Sequence, residues 1–149
     1  MRDLTVLVSA CGYQFMPALA DCIKDNGERN IRIVGTDMNY DETILQMVDA
    51  FYQVPKALDP NYIPRVLEIC DKEKVDIILP TMSAELIPII DNIEEFNKRG
   101  IKVSVSNRRS IEICNNKLRF YRFMKDNGLP MVDFYEANSV EEVKEAFKK

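Results

Sequence analysis

Few residues in this 149-residue chain could do chemistry, because it contains no histidine. Histidine triads, histidine metal sites and histidine general bases are excluded. Chemistry is left to carboxylates, lysine, arginine, cysteine, tyrosine, hydroxyls and backbone amides. Lys117 is the first candidate. It follows Asn115-Asn116, either of which could cap a helix, so it stands at a helix N-terminus. A lysine there opposes the helix dipole by ~0.3–1 kcal/mol. That cost makes sense if an anion is shared between the ammonium and the free amides.

The other candidates cluster in sequence at the ends of strand-like runs. Ser9-Ala10-Cys11-Gly12-Tyr13-Gln14 stands where a dinucleotide fold would carry G-x-G-x-x-G, but has only one of those glycines. Side chains at Ala10 and Phe15 would obstruct the close backbone approach that a pyrophosphate needs. The loop is therefore a plain turn or a small-molecule contact made through Cys11, Gly12 and Tyr13. Asp37 follows the second strand, where it could bind a ribose or simply hydrogen-bond the backbone of a turn. Glu85 lies in the first turn of a helix after the fourth strand. It is either a partner for the helix dipole or a ligand contact, an amine being the natural complement. Arg108 and Arg109 follow the fifth strand, as solvated surface or as an anion contact.

Composition narrows the classes. Charged residues are 30% and hydrophobic ones 46%, as in an ordinary soluble domain. The net charge is −4 without a basic cluster, so no nucleic-acid partner is expected. No apolar run approaches the ~20 residues of a membrane helix, and the N-terminus has no signal-peptide pattern, so the expected location is cytoplasmic. Cys11, Cys22, Cys70 and Cys114 form no C-x-x-C pair. The three on helix-like segments (Cys22, Cys70, Cys114) read as small buried thiols.

These residues need elements to position them. Strands are expected over residues 4–10, 31–36, 51–54, 75–79 and 101–105, the first nearly all apolar, as suits a sheet covered on both faces. Helices are expected between them. One covers residues 14–26, with Phe15, Leu19, Cys22 and Ile23 at helical spacing, and a short one is capped by Asp41. Another starts at Asp59-Pro60 with Ile63, Val66, Leu67 and Cys70 inward. A long one is capped by Ser83 and runs to Gly100, with Leu86, Ile89, Ile90, Ile93 and Phe96 inward. The alternation predicts a doubly wound α/β unit, a parallel five-stranded sheet of order 3-2-1-4-5, with its ligand mouth beyond the strands' carboxyl ends. Helices over 108–114 and 115–127 follow. Residues 131–136 read as a strand, the start of a second α+β domain. Ser139-Val140-Glu141-Glu142 then reads as a capping box opening a helix with Val140, Val143 and Phe147 inward.

Taken in order, several of these pieces resemble one family. They are the opening strand with Cys11-Gly12, Val34-Gly35-Thr36-Asp37, Ala50-Phe51-Tyr52-Gln53-Val54-Pro55, Ile78-Leu79-Pro80-Thr81 and Glu85-Leu86. Ile113-Cys114-Asn115-Asn116-Lys117 and Phe123-Met124-Lys125-Asp126-Asn127-Gly128-Leu129-Pro130 complete the set. The chain resembles the N-terminal part of ATP-grasp carboxylate–amine ligases, of the carbamoyl-phosphate-synthase large-subunit-like type. The resemblance implies that residues 1–113 are a pre-ATP-grasp Rossmann-like domain and 114–149 the first segment of an incomplete ATP-grasp domain. It implies that Lys117 contacts ATP phosphates, and that the strand-tip mouth, with Cys11, Gly12, Tyr13, Asp37 and Glu85, holds part of the acceptor-substrate site. Such ligases use ATP and Mg2+ to activate a carboxylate as an acylphosphate and join it to a nucleophile. In the family the magnesium ligands lie further along, so no catalytic residue is assigned here and this piece is expected to lack turnover alone. The expected partners are a small-molecule substrate and ATP, with a homodimer or docking to the rest of the ATP-grasp module. The alternatives are a cofactor-binding module of an oxidoreductase and a non-catalytic interaction domain.

Overall fold

The computed structural model describes residues 2–40 and 42–148, so the expected cap at Asp41 lies outside the described residues. The chain divides into two compact units, Met1–Asn107 and Arg108–Lys149.

The first unit is a five-stranded sheet of β1 (Leu4–Ser9), β2 (Ile31–Asp37), β3 (Ala50–Gln53), β4 (Ile77–Leu79) and β5 (Lys102–Val103). The order is β3-β2-β1-β4-β5 and every pairing is parallel, as the alternation predicted. The central strand is apolar on both faces because both are covered. On one face Leu7, Val34 and Ile78 pack with α2 (Tyr62–Glu73), α3 (Ser83–Asp91) and α4 (Ile93–Asn97), through Val66, Ile69, Ile89 and Phe96. On the other, Val6, Val8 and Ile33 pack with Met16 and Ala20 of α1 (Met16–Lys24) and with Ile44 of a short 3-10 helix, Ile44–Gln46. Each such large apolar side chain, fully buried, stabilises the fold by roughly 1.5–3 kcal/mol.

The helices depart from expectation in informative ways. In α1 the expected stripe holds in part: Leu19 and Ile23 pack partly buried against the core. Met16 and Ala20 are buried, whereas Phe15 and Cys22 are exposed. The α2 helix begins two residues after Pro60. The Asp59 carboxylate accepts the Asn61 amide at 2.8 Å in a turn that precedes the helix, instead of capping it. Ser83 is the first residue of α3, and Met82 occupies the cap position. The expected long helix breaks at Asn92. Pro88 carries no N–H to continue the ladder, and the Asn92 side chain donates to the Pro88 carbonyl at 2.9 Å.

The second unit holds α5 (Arg108–Cys114), α6 (Lys117–Asp126) and α7 (Val140–Ala146). Gly128, at φ 64°, closes α6: Leu129 N–H reaches the Met124 carbonyl at 3.0 Å and Gly128 N–H that of Lys125 at 3.1 Å. The strand expected over 131–136 does not form. A strand needs a neighbour for its backbone groups, and this segment is tied to α6 by side chains instead. Phe134 stacks on Tyr121 at 5.2 Å, and Glu136 accepts from Arg122 Nε at 2.7 Å. The capping box is present in modified form. Ser139 Oγ accepts from Glu142 N–H at 3.1 Å, but the Glu142 carboxylate reaches one residue further back, to Asn138 N–H at 2.6 Å. Val140, Val143 and Phe147, expected inward, are exposed, as is Cys114.

Candidate functional site

The mouth lies where β1, β2 and β4 end. After Ser9 the chain turns at Ala10, whose φ of 47° is in the left-handed region, a conformation that costs a non-glycine residue roughly 1–2 kcal/mol. The turn sends Cys11 inward: its amide donates to the Thr36 carbonyl at 3.1 Å, and its side chain is fully buried. A Cβ on Gly35 would stand 2.8 Å from Cys11 Sγ and 2.9 Å from Val48, so β2 must carry glycine there. Burial, reinforced by the Asp37 carboxylate, pushes the Cys11 thiol up to about 12. It is a neutral thiol at physiological pH and a poor nucleophile.

Gly12 and Asp37 form a clasp. Asp37 is buried, with Oδ2 accepting the Gly12 amide and Oδ1 the Asn39 amide, each at 2.9 Å. Its carbonyl accepts Val54 N–H at 2.9 Å, tying the loop after β3 to the same point. A Cβ on Gly12 would lie 3.0 Å from Asp37 Oδ2, which explains the single glycine of the loop. Tyr13 stands half-exposed at the rim, stacked on Phe15 at 6.1 Å.

Glu85, 6% exposed, is the second buried acid. It lies in the first turn of α3, where a negative charge is favoured. Its Oε1 accepts from the Tyr62 hydroxyl at 2.8 Å, and Oε2 accepts from the Ser9 hydroxyl. Ser9 Oγ in turn accepts Thr81 N–H at 3.1 Å, while Thr81 Oγ1 donates to the Ser9 carbonyl at 2.6 Å. Burial and then the Glu85 carboxylate raise the Tyr62 phenol well above its ordinary value, so it stays a donor. Thr36, in register with Ser9 on the same sheet face, has a buried hydroxyl with no partner among the described residues.

Above these groups opens a cavity of about 360 Å³. Ala10, Tyr13, Met38, Val54, Leu58 and Met82 give it a mainly apolar wall, and Asp37, Glu85 and Lys56 are its charged members. The structure thus brings Tyr13, Asp37 and Glu85 to one cavity, with Gly12 at its edge beside Asp37 and Cys11 beneath. The sequence reading gave no role to Ser9 and Thr81, although both lie in the strand-end segments it singled out, and it missed Tyr62 beneath the cavity and Lys56 in its wall. A serine and a threonine at the tips of otherwise apolar strands were the available hint; nothing marked Tyr62.

In the second unit, Lys117 is the first residue of α6 and is exposed. Asn116 caps the helix, its side-chain oxygen accepting Arg119 N–H at 3.0 Å. Arg108 pairs with Glu112 at 2.9 Å on the surface. Among the described residues no three His, Cys, Asp or Glu side chains group as a metal site, and no helix is long and apolar enough to cross a membrane.

Residues 6–104 match the family described as PylC-like, N-terminal domain. The chain belongs to that family, and the resemblance to the N-terminal region of ATP-grasp enzymes holds. Its fold is shared with N5-carboxyaminoimidazole synthetase from Staphylococcus aureus, solved with ADP: TM-score 0.68, 15% identity, 97% of this chain and 35% of that one. It is shared with glycinamide-RNase-transformylase T from Mycobacterium tuberculosis: TM-score 0.68, 15% identity, 95% of this chain and 38% of that one. The biotin carboxylase domain of Hydrogenobacter thermophilus 2-oxoglutarate carboxylase, solved with MgADP, ADP and bicarbonate, matches at TM-score 0.57 and 20% identity, over 97% of this chain and 32% of that one. The chain therefore spans about a third of the length of these proteins.

Proposed function

We propose that this chain is the N-terminal portion of an ATP-dependent carboxylate–amine, or related, ligase. In this reading residues 1–113 are the pre-ATP-grasp domain and 114–149 open the ATP-grasp domain. The strand-tip cavity, with Tyr13, Asp37 and Glu85 in its wall and the Cys11-Gly12 loop behind it, forms part of the acceptor-substrate site. The observation that carries this is the cavity itself: it lies at the carboxyl ends of the strands, where doubly wound sheets bind ligands, within the segment that matches the family.

Lys117 is the first nucleotide contact in the same proposal. Its ammonium and the leading N–H groups of α6 suit a phosphate, because a helix N-terminus favours an anion. The Asn116 side chain uses the Arg119 amide and leaves those of Lys117 and Leu118 for a ligand. ATP with Mg2+ would supply the phosphoryl group that activates the carboxylate; the chain's own part is to hold the phosphate end at Lys117 and the acceptor at the mouth. Association as a homodimer, or with the rest of the ATP-grasp module, belongs to this reading, and the exposed Val140 of α7 and the adjoining Phe147 offer an apolar surface for it.

In the complete ligase, Lys117→Ala should raise the KM for ATP about tenfold or more and leave the acceptor KM near its starting value. Steady-state kinetics with each substrate varied checks this. Unchanged ATP dependence would remove Lys117 from the site.

A further inference from the structure

Glu85 is a carboxylate buried among apolar groups, and its two partners are neutral hydroxyls, Tyr62 and Ser9; among the described residues no lysine or arginine is paired to it. Buried charge in a protein is normally compensated by an opposite charge. An ionised carboxylate offers about four acceptor positions, and the two hydroxyls occupy two of them. Asp37, the other acid of the cavity, is likewise held by neutral donors, the amides of Gly12 and Asn39. Against these two acids the cavity wall offers, among the described residues, one cation, Lys56, and the rest of its surface is mainly apolar.

We infer that Tyr62 and Ser9 are positioning residues that hold the Glu85 carboxylate in one orientation, and that the cavity thereby selects an amine on an uncharged aliphatic body over an anionic or phosphorylated ligand. Its two oxygens are held by two partners, one on α2 and one on β1, so the carboxylate cannot rotate in the cavity wall without losing a hydrogen bond. Ser9 is itself fixed by Thr81 at both its hydroxyl and its carbonyl. An ammonium entering the cavity completes the charge balance that the fold leaves open, while its carbon chain meets Met38, Leu58 and Met82. A phosphate would face two carboxylates with a single lysine to offset them. The inference rests on reading the mouth as the acceptor site and does not involve Lys117 or ATP.

Met38 and Met82 both line the cavity and provide the readout. The chain with 13C-labelled methionine methyls is titrated, by NMR, with n-hexylamine, 1-hexanol, hexanoate and hexyl phosphate at neutral pH. The expected result is that hexylamine shifts both methyls and binds at least tenfold more tightly than hexanol, with hexanoate and hexyl phosphate weaker still. Glu85→Gln should abolish the amine preference, and Tyr62→Phe should reduce it severalfold while hexanol affinity stays constant. A purely structural role for Tyr62 would move amine and alcohol together. If either variant fails to fold, Ser9→Ala, which removes the other hydroxyl, makes the same comparison. Equal or tighter binding of hexanoate or hexyl phosphate at these methyls overturns the ligand class and leaves the mouth as a site. No methyl shift with any probe overturns both.

Discussion

The α2 and α7 helices carry comparable sequence patterns and end differently. Both have apolar residues at helical spacing. In α2, Val66, Ile69 and Cys70 are buried; in α7, Val140, Val143 and the adjoining Phe147 are exposed although a serine cap and a glutamate anchor start the helix well. Capping and periodicity decide that a helix forms and which residues share a stripe. They do not decide that the stripe is covered. In Met1–Asn107 a sheet is present to cover it on either face, whereas no residue of α6 or α7 is buried.

The sharpest way to break this contrast is to truncate one phenylalanine from each unit. Phe96 is fully buried against the sheet and Phe147 is 88% exposed. Phe96→Ala should cost about 3–5 kcal/mol, and Phe147→Ala should stay within about 0.5 kcal/mol. Urea unfolding, followed by resonances from each unit, measures both. Comparable losses would mean that the α7 stripe is covered after all.

A smaller effect tests how the mouth is built. Gly35→Ala places a methyl 2.8 Å from Cys11 Sγ and 2.9 Å from Val48, in a core with no slack. The expected cost is about 1–3 kcal/mol, confined to the first unit. Adding a methyl at Gly128 meets no atom within 4 Å, so the strain there comes only from its φ of +64°. A Gly35→Ala protein of unchanged stability would show that the turn at Ala10 and Cys11 can shift freely.

The sheet was legible in sequence because its signals are local. Residues 4–8 are apolar except for Thr5, and helix-like segments separate each pair of strands, which with right-handed crossovers leaves few orders open. Asp37 and Glu85 could be singled out because a charged residue at a strand tip, or in the first turn of the helix that follows a strand, is conspicuous. Tyr62 could not. It lies 23 residues before Glu85, at the start of a helix where a buried aromatic is ordinary, and only the packing of α2 against the sheet brings its hydroxyl to the carboxylate. The segment 131–136 failed for the converse reason. Its composition suits a strand, but strand formation depends on a neighbour elsewhere in the chain, and the Tyr121 and Arg122 side chains engage it instead.

The smallest effect concerns surface ion pairs, and it too should differ between the units. The Arg2 guanidinium, by hydrogen bond and charge, holds Asp76 below the usual carboxylate range; Arg122 does the same for Glu136. Both folded values are depressed. The stability each pair contributes is therefore fully present above the unfolded carboxylate range, about 4, and is lost as pH falls through the folded value. Salt should separate them. Asp76 has a second partner, the Thr5 amide at 2.9 Å, and its side chain is 20% exposed, whereas Glu136 has Arg122 and is 36% exposed. Exposed pairs are screened by ions and hydrogen bonds to partly buried amides much less so. In thermal melts from pH 7 to pH 3, Asp76→Asn should flatten the acid-side fall in Tm at both low and high salt. Glu136→Gln should flatten it only at low salt. Equal salt sensitivity of the two variants would show that the backbone amide adds nothing to Asp76, and that the junction of β1 with the start of β4 is held no more firmly than the surface of α6.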